Sequence, residues 1–97
     1  MPAYSPKFLL TQVGRGVALH FEPAPGGRRT KAMVRSGLLV GVQAGRLVVQ
    51  LAGEQYPTHV DVEADQPAFA TRERDGSALW WEWQGAQRPL PSGFTEE

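Results

Sequence analysis

Glycine and proline interrupt this chain so often that a long helix has no room to form. Eleven glycines and eight prolines are spread over 97 residues, and short stretches of alternating apolar and polar residues lie between them. Such alternation is typical of strands, and no stretch carries the 3.6-residue stripe of an amphipathic helix. The sequence therefore predicts an all-β protein with little or no helix. We expect a small antiparallel barrel or strongly bent sheet of about six to seven strands, SH3-like or OB-like in size.

The length of the chain predicts one domain. A chain of 97 residues has the usual size of a single domain, and its hydrophobic fraction of 41% is enough to form one core. We expect a single β domain over residues 1–97, with flexible or loosely docked termini at residues 1–6 and 88–97.

Cysteine is absent, which excludes a disulfide framework, a thiol nucleophile and a thiolate metal site. This absence fits a reducing compartment, so we expect a cytoplasmic protein. No basic and apolar leader is visible at the N-terminus, and no run approaches the roughly 20 apolar residues of a membrane-spanning helix. We therefore expect no membrane partner.

Turn signals predict a three-strand meander between Leu38 and Val62. Turns at Ala44-Gly45 and Gly53-Glu54 would place the apolar residues of three strands on one shared face. On the opposite face the same register pairs Arg46 with Asp61. Pro57 lacks a ladder donor and indicates an edge strand or a bulge. The apolar pairs expected from this register are Val42 with Leu47, Val40 with Val49, Leu51 with Tyr56, Val49 with Thr58, and Leu47 with Val60.

Two further hairpins are predicted, one on each side of the meander. The first runs from Phe8 to Glu22 around Gly14-Arg15-Gly16, and the second turns at Asp75-Gly76, where glycine and aspartate tolerate positive φ. The register of the second would set Arg72 opposite Leu79, Ala70 opposite Trp81 and Ala68 opposite Trp83.

Charge is divided between the two halves of the sequence. Residues 1–50 carry seven basic side chains and one acid, whereas residues 51–97 carry three basic side chains and nine acids, so that the net charge is zero. This division indicates a face that binds a polyanion or a charge-complementary contact with a protein.

The basic side chains that we select as candidates for binding a nucleic acid or a protein partner lie at three places in the sequence. Arg28 and Arg29 end a loop of turn formers, with Lys31 and Arg35 following, and Arg15 lies at a predicted hairpin tip. Arg72 and Arg74 precede the Asp75-Gly76 turn. Such cations bind phosphates, although a charged loop can equally be a solvated surface.

Three tryptophans lie in the segment Trp80-Trp81-Glu82-Trp83. Alternate residues of a strand share a face, so Trp81 and Trp83 would pack together and Trp80 would point the other way. We expect Trp81 and Trp83 in the core, because large aromatic residues dominate small cores. Trp80 is then the candidate for an exposed contact with a base or a protein.

His59, Asp61 and Glu63 alternate along one strand and resemble a set of metal ligands, as do His20 and Glu22. A spacing pattern alone is weak support for a site, and we interpret these residues as a solvated polar face. The sequence contains none of the local motifs that identify hydrolases, phosphate-binding loops or metalloproteases. We expect no metal, no cofactor and no enzymatic activity.

Two functional hypotheses follow from these observations. The first is a small non-catalytic protein-interaction module, which binds a protein partner or self-associates into a homo-oligomer through charge-complementary faces and β edges. The alternative is a nucleic-acid-binding small β-barrel, which would use the basic loop 28–35 together with an exposed tryptophan and arginines.

Overall fold

One antiparallel sheet makes up most of the computed structural model, which describes residues 4–23, 31–66, 70–72 and 78–94, with the backbone alone at positions 71 and 72. Within these residues the strands are β1 (Gly16–Glu22), β2 (Met33–Gln43), β3 (Arg46–Leu51), β4 (Thr58–Asp61), β5 (Thr71–Arg72) and β6 (Ala78–Gln84). A short helix, α1 (Pro6–Thr11), precedes the sheet, and a turn of 3-10 helix, Val62–Ala64, follows β4. The predicted all-β architecture, a strongly bent antiparallel sheet with little helix, is confirmed.

The strands follow the order β4-β3-β2-β1-β6-β5, and the sheet curls around its own core. β4 and β6 have three strands between them, yet the Trp81 indole Nε1–H donates to the main-chain oxygen of Asp61 at 3.1 Å. The concave side is therefore closed on itself as a half-barrel. Its buried apolar residues include Phe8, Leu9, Val17, Leu19, Leu39, Leu47, Val49, Leu51, Val60 and Trp81. The convex side, here called the outer face, carries the alternate residues of the same strands, among them Val34, Leu38, Trp80 and Glu82.

The predicted Phe8–Glu22 hairpin is wrong, because helix α1 forms in place of its first strand. The Ser5 hydroxyl accepts a hydrogen bond from the Phe8 amide at 3.1 Å, and Pro6 occupies the first turn. A capping serine followed by proline favours the start of a helix. The segment packs as a helix, with Phe8 and Leu9 buried in the core. Its six residues are too few to show a helical period in the sequence.

The predicted meander between β2, β3 and β4 is confirmed in most of its register. Ala44 and Gly45 form the turn with φ values of 53° and 76°, and β4 is an edge strand that begins directly after Pro57. The predicted partners of Leu51 and Val40 are wrong. β4 begins only at Thr58, so Tyr56 lies outside it and is 73% exposed, and a bulge displaces Val40. The pairs that form as predicted are Val42 with Leu47, Val49 with Thr58, Leu47 with Val60, and Arg46 with Asp61.

The register of the last hairpin differs from the prediction by one residue. Thr71 lies opposite Leu79, and Arg72 lies opposite Ala78 rather than Leu79. The predicted Asp75-Gly76 turn and Ala68 fall outside the described residues. Trp81 is completely buried and Trp83 packs partly buried against the core, as the alternation of β6 predicts.

Candidate functional site

Strand β2 exposes apolar side chains on the outer face of the sheet. Val34, Leu38 and Val40 are 57%, 52% and 48% exposed, and together they form what we call the outer stripe. The residues of β2 that face the concave side include Arg35 and Gly37. Exposed strand faces usually carry polar residues, and on the outer side of β2 Ser36 is polar. Three half-exposed apolar side chains on this side distinguish β2 as a surface for contact.

A β-bulge places Val40 in the outer stripe. Leu39 pairs with Val49 and Gly41 pairs with Val48, so β2 has one extra residue between these two positions. Leu39 is buried where Val40 was predicted to lie. A bulge of this kind redirects a side chain without ending the strand, and here it extends the apolar surface along β2.

An aromatic–acid cluster, formed by His20, Glu22, Trp80 and Glu82, lies beside the outer stripe. His20 pairs with Trp80 on β6 and with Val34 on β2, so the three residues form one row across the sheet. The Trp80 Nε1–H donates to Glu22 Oε2 at 2.8 Å, and His20 Nε2 lies 2.5 Å from Glu82 Oε2. The cluster thus borders the stripe on the β1 and β6 side with aromatic surface and two carboxylates.

The β3 and β4 side of the outer face carries Arg46, His59 and Asp61. Arg46 Nε lies 3.3 Å from Asp61 Oδ1, and both side chains are largely exposed. Exposed ion pairs are weak, so Arg46 remains available to another acid. Arg46 and His59 also line a shallow depression with Gln43 and Ala44.

Arg15 is occupied within its own chain. Its guanidinium lies 4.3 Å above the Trp83 ring, and its Nη2 donates to the Gly85 main-chain oxygen at 3.1 Å. Burial lowers the pKa of this guanidinium, against a smaller raising contribution from Tyr4. Arg15 therefore joins the end of β6 to the start of β1 and does not present a free cation at a hairpin tip.

Arg35 is likewise engaged by the loop after β3. Its Nη1 lies 3.2 Å from Glu54 Oε2, and its Nη2 donates to the Ala52 main-chain oxygen at 3.2 Å. Lys31 is exposed. Of the remaining candidates, Arg28, Arg29 and Arg74 lie outside the described residues, and Arg72 is described by its backbone alone. The described part of the chain does not gather these basic side chains into one surface.

The division of charge along the sequence is mixed by the order of the strands. β1, β2 and nearly all of β3 come from the basic half, and they lie between β4 and β6, which come from the acidic half. The ion pairs of the described residues each join the two halves: His20 with Glu82, Arg35 with Glu54, and Arg46 with Asp61. The division therefore stabilises contacts within one chain, and it does not leave a basic and an acidic pole among these residues.

Trp80 is half-buried, with one ring face stacked on His20, so it is less exposed than predicted.

The sequence reasoning missed the outer stripe. Its signal was present, because Val34, Leu38 and Val40 alternate with residues of β2 that include an arginine and a glycine. Apolar residues on both faces of one strand could have indicated that both faces of β2 make contacts.

The described residues contain no group of three or more histidine, aspartate or glutamate side chains placed to hold a metal ion. Among the same residues, no helix has both the length and the apolar character needed to cross a membrane. Comparison of the chain with protein-family models, with curated proteins and with solved structures gave no match.

Proposed function

We propose that this protein is a non-catalytic interaction module that self-associates by stacking the outer faces of two copies. The observation that carries the proposal is the outer stripe, Val34, Leu38 and Val40, which are about half exposed on β2. These positions span about 20 Å of β2, at about 3.3 Å a residue. Two such stripes can align as the sheets of a sandwich do.

The expected strength of this contact is modest. Full burial of a valine or leucine side chain contributes about 1.5–3 kcal/mol, so each half-exposed member of the stripe contributes about 1 kcal/mol. The six members that meet in a dimer then contribute about 6 kcal/mol, whereas association costs about 4 to 15 kcal/mol in lost freedom. The stripes therefore need support from the polar flanks of the face, and we expect a weak dimer that forms at high protein concentration.

Charge selects the arrangement of the two copies. Glu22 and Glu82 lie on the β1 and β6 side of the stripe, and Arg46 lies on the β3 side. A twofold axis perpendicular to the strands brings the acidic flanks of the two copies together, whereas an axis parallel to β2 keeps them on opposite sides of the contact. Arg46 lies in the row of Gln43 and Glu82 lies in the row of Ser36, so that about 20 Å along β2 separates these two charges in either arrangement. A zero net charge also removes the repulsion that keeps charged proteins apart. We therefore infer an isologous dimer with its axis along the strands.

Sedimentation velocity over a wide concentration range tests this proposal. We expect wild-type protein to shift from monomer to dimer, and Leu38→Glu to remain monomeric because two carboxylates would enter the apolar centre of the contact. Leu10→Glu is the matched control, since Leu10 is 58% exposed on α1 and lies away from the outer face. A monomeric wild-type protein at millimolar concentration, or equal dimerisation of Leu38→Glu, would reject the proposal.

The nucleic-acid hypothesis is tested in the same runs by adding a mixed-sequence oligonucleotide at low salt. That hypothesis depends chiefly on Arg28 and Arg29, because Arg15 and Arg35 are engaged within the chain. Association with the oligonucleotide that weakens steeply with salt and persists in Leu38→Glu would favour it over the interaction module. The cytoplasmic location that the absence of cysteine favours stays a prediction.

A further inference from the structure

The side chain of Gln12 binds the main chain of Arg88 as a neighbouring strand would. Gln12 is completely buried at the end of α1. Its Oε1 accepts the Arg88 amide N–H at 3.0 Å, and its Nε2 donates to the Arg88 carbonyl oxygen at 3.3 Å. The side-chain amide of Gln12 thus forms hydrogen bonds with both main-chain polar groups of Arg88. Contacts of this kind recognise an extended backbone whatever its side chain.

The Gln12 amide is held in this orientation by its neighbours. Nε2 also donates to the Thr11 hydroxyl at 3.1 Å, and that hydroxyl donates to the Phe8 main-chain oxygen at 2.6 Å. Oε1 lies 3.5 Å from Arg15 Nη1. These neighbours therefore fix the positions of the amide oxygen and nitrogen independently of Arg88, as supporting residues do in a preorganised binding site.

The segment that Gln12 holds has few other attachments. Residues 86–93 are exposed and belong to neither helix nor strand. They leave β6 at Gly85, whose φ of 79° favours glycine, and they end at Phe94, which packs against the core beneath Lys7. The segment is therefore anchored at Arg88 and Phe94, and exposed between these points.

The sequence around Arg88 suits an extended ligand. Pro89 restricts Arg88 to extended conformations, and Pro91 does the same for Leu90. Pro89 also lacks a main-chain N–H donor, directly after Arg88, whose main chain Gln12 binds. The ligand is thus pre-organised, which lowers the entropy lost on binding.

We propose that Gln12 forms a peptide-binding site for an extended residue followed by proline, that residues 86–94 are its resident ligand, and that the same segment of a second copy can take their place. This exchange uses an opening at Gly85 and leaves the sheet intact. It is independent of the outer face, because α1 and residues 86–94 do not belong to that surface.

An opened site in the full chain provides the test. Arg88→Pro removes the N–H that donates to Gln12 and should release the segment in its own chain. Arg88→Ala is the matched control, since it retains the N–H and loses only the guanidinium, which lies against Gly14. The probe is a synthetic peptide of residues 85–94, titrated while the Gln12 side-chain amide signals are followed by NMR.

We expect the wild-type peptide to bind the Arg88→Pro chain saturably and to return the Gln12 signals to their wild-type positions. A peptide that carries proline at position 88 should not bind, and neither peptide should shift Gln12 in the Arg88→Ala chain at comparable concentrations, because a tethered segment competes at an effective concentration of about millimolar. Failure of the wild-type peptide to shift Gln12 in the folded Arg88→Pro chain would overturn the proposal.

A second measurement needs no variant that might misfold. In the wild-type chain, the Arg88 amide should exchange with solvent by local opening, much faster than the Trp81 amide in the centre of β6. Equal protection of the two amides would mean that the segment leaves only when the whole protein unfolds, and it would also overturn the proposal.

Discussion

The imidazole of His20 lies flat against the indole of Trp80, with the ring centroids 3.8 Å apart and the planes inclined by 11°. Each ring is also bound by a glutamate of the opposite strand: Glu22 of β1 accepts from Trp80, and Glu82 of β6 contacts His20. These diagonal contacts fasten β1 to β6, which come from opposite ends of the sequence. The stack therefore belongs to the architecture of the sheet as well as to its outer face.

Removal of this stack should destabilise the protein. Trp80→Ala loses an aromatic pair, worth about 0.5–1.5 kcal/mol beyond its area, together with a hydrogen bond and part of a buried ring. We expect a loss of about 2 kcal/mol in the free energy of unfolding, measured by urea denaturation. Tyr56→Ala is the control, because Tyr56 is 73% exposed and should change stability by no more than about 0.5 kcal/mol. Equal effects of the two substitutions would contradict the role of the stack.

Gly37 and Gly41 should respond oppositely to alanine, although both lie on β2. A Cβ at Gly37 would lie 2.5 Å from the Gln50 main-chain oxygen, whereas a Cβ at Gly41 would meet nothing within 4 Å. Gly37→Ala must push β3 away and should cost about 1–3 kcal/mol. Gly41→Ala should be neutral or gain about 0.5 kcal/mol from a stiffer unfolded chain. Thermal melts of both variants check the contrast, and a stable Gly37→Ala would show that the strands do not approach so closely.

Most pairs in the meander and its first turn could be predicted, because glycine determines local geometry. The predicted second turn at Gly53-Glu54 is wrong by one residue, since the Glu54 N–H donates to the Leu51 main-chain oxygen at 3.2 Å and the turn is centred on Ala52-Gly53. Gly45 and Gly53 adopt φ values of 76° and 80°, conformations that glycine favours, and the pair of Arg46 with Asp61 follows from the register they set. The bulge could not be predicted, because Leu38, Leu39 and Val40 are consecutive apolar residues that fit either face. Packing against the core determines which of these residues is buried, and the local sequence pattern does not show this.

The candidate site was less predictable than the fold for a related reason. Arg15 and Arg35 read as free cations in the sequence, but their partners, Gly85 and Glu54, are distant residues whose approach depends on the curl of the sheet and the path of the loop after β3. Gln12 carried no signal at all. Its role depends on burial beside Arg88, a contact between residues 76 positions apart.

Asp65 should make stability depend on pH. Burial raises the pKa of its carboxyl, against a smaller lowering by a hydrogen bond from its own backbone. In the folded state the carboxyl therefore ionises less readily than in the unfolded chain, so its charge destabilises the fold above both pKa values and has no effect below them. Asp65→Asn should raise the melting temperature at pH 7, and the gain should disappear in acid. Differential scanning calorimetry from neutral to strongly acidic pH measures this; a gain that grows on acidification would reverse the assigned sign.

Ala44 occupies a conformation that alanine disfavours, with a φ of 53°. Asparagine tolerates this left-handed region better, because its side chain can bond locally. Ala44→Asn should therefore stabilise the turn between β2 and β3 by about 0.5–1 kcal/mol, measured by chemical denaturation. Ala52→Asn is a control in the next turn, where Gly53 takes the positive φ instead, and it should leave stability unchanged. Stabilisation by both variants would point to a general effect of asparagine in turns.

Neutralisation of Glu82 tests the orientation of the proposed dimer. With the axis along the strands, the Glu82 side chains of the two copies lie on opposite sides of the contact, so Glu82→Gln should leave the dimerisation constant unchanged within about twofold. An axis across the strands would bring the two carboxylates together, and Glu82→Gln would then strengthen dimerisation by about fivefold, the equivalent of about 1 kcal/mol. Because these charges are exposed, that gain would shrink at high salt. Sedimentation equilibrium of the wild-type protein and Glu82→Gln at low and high salt measures this, and a dimer that is strengthened at low salt alone would place the axis across the strands.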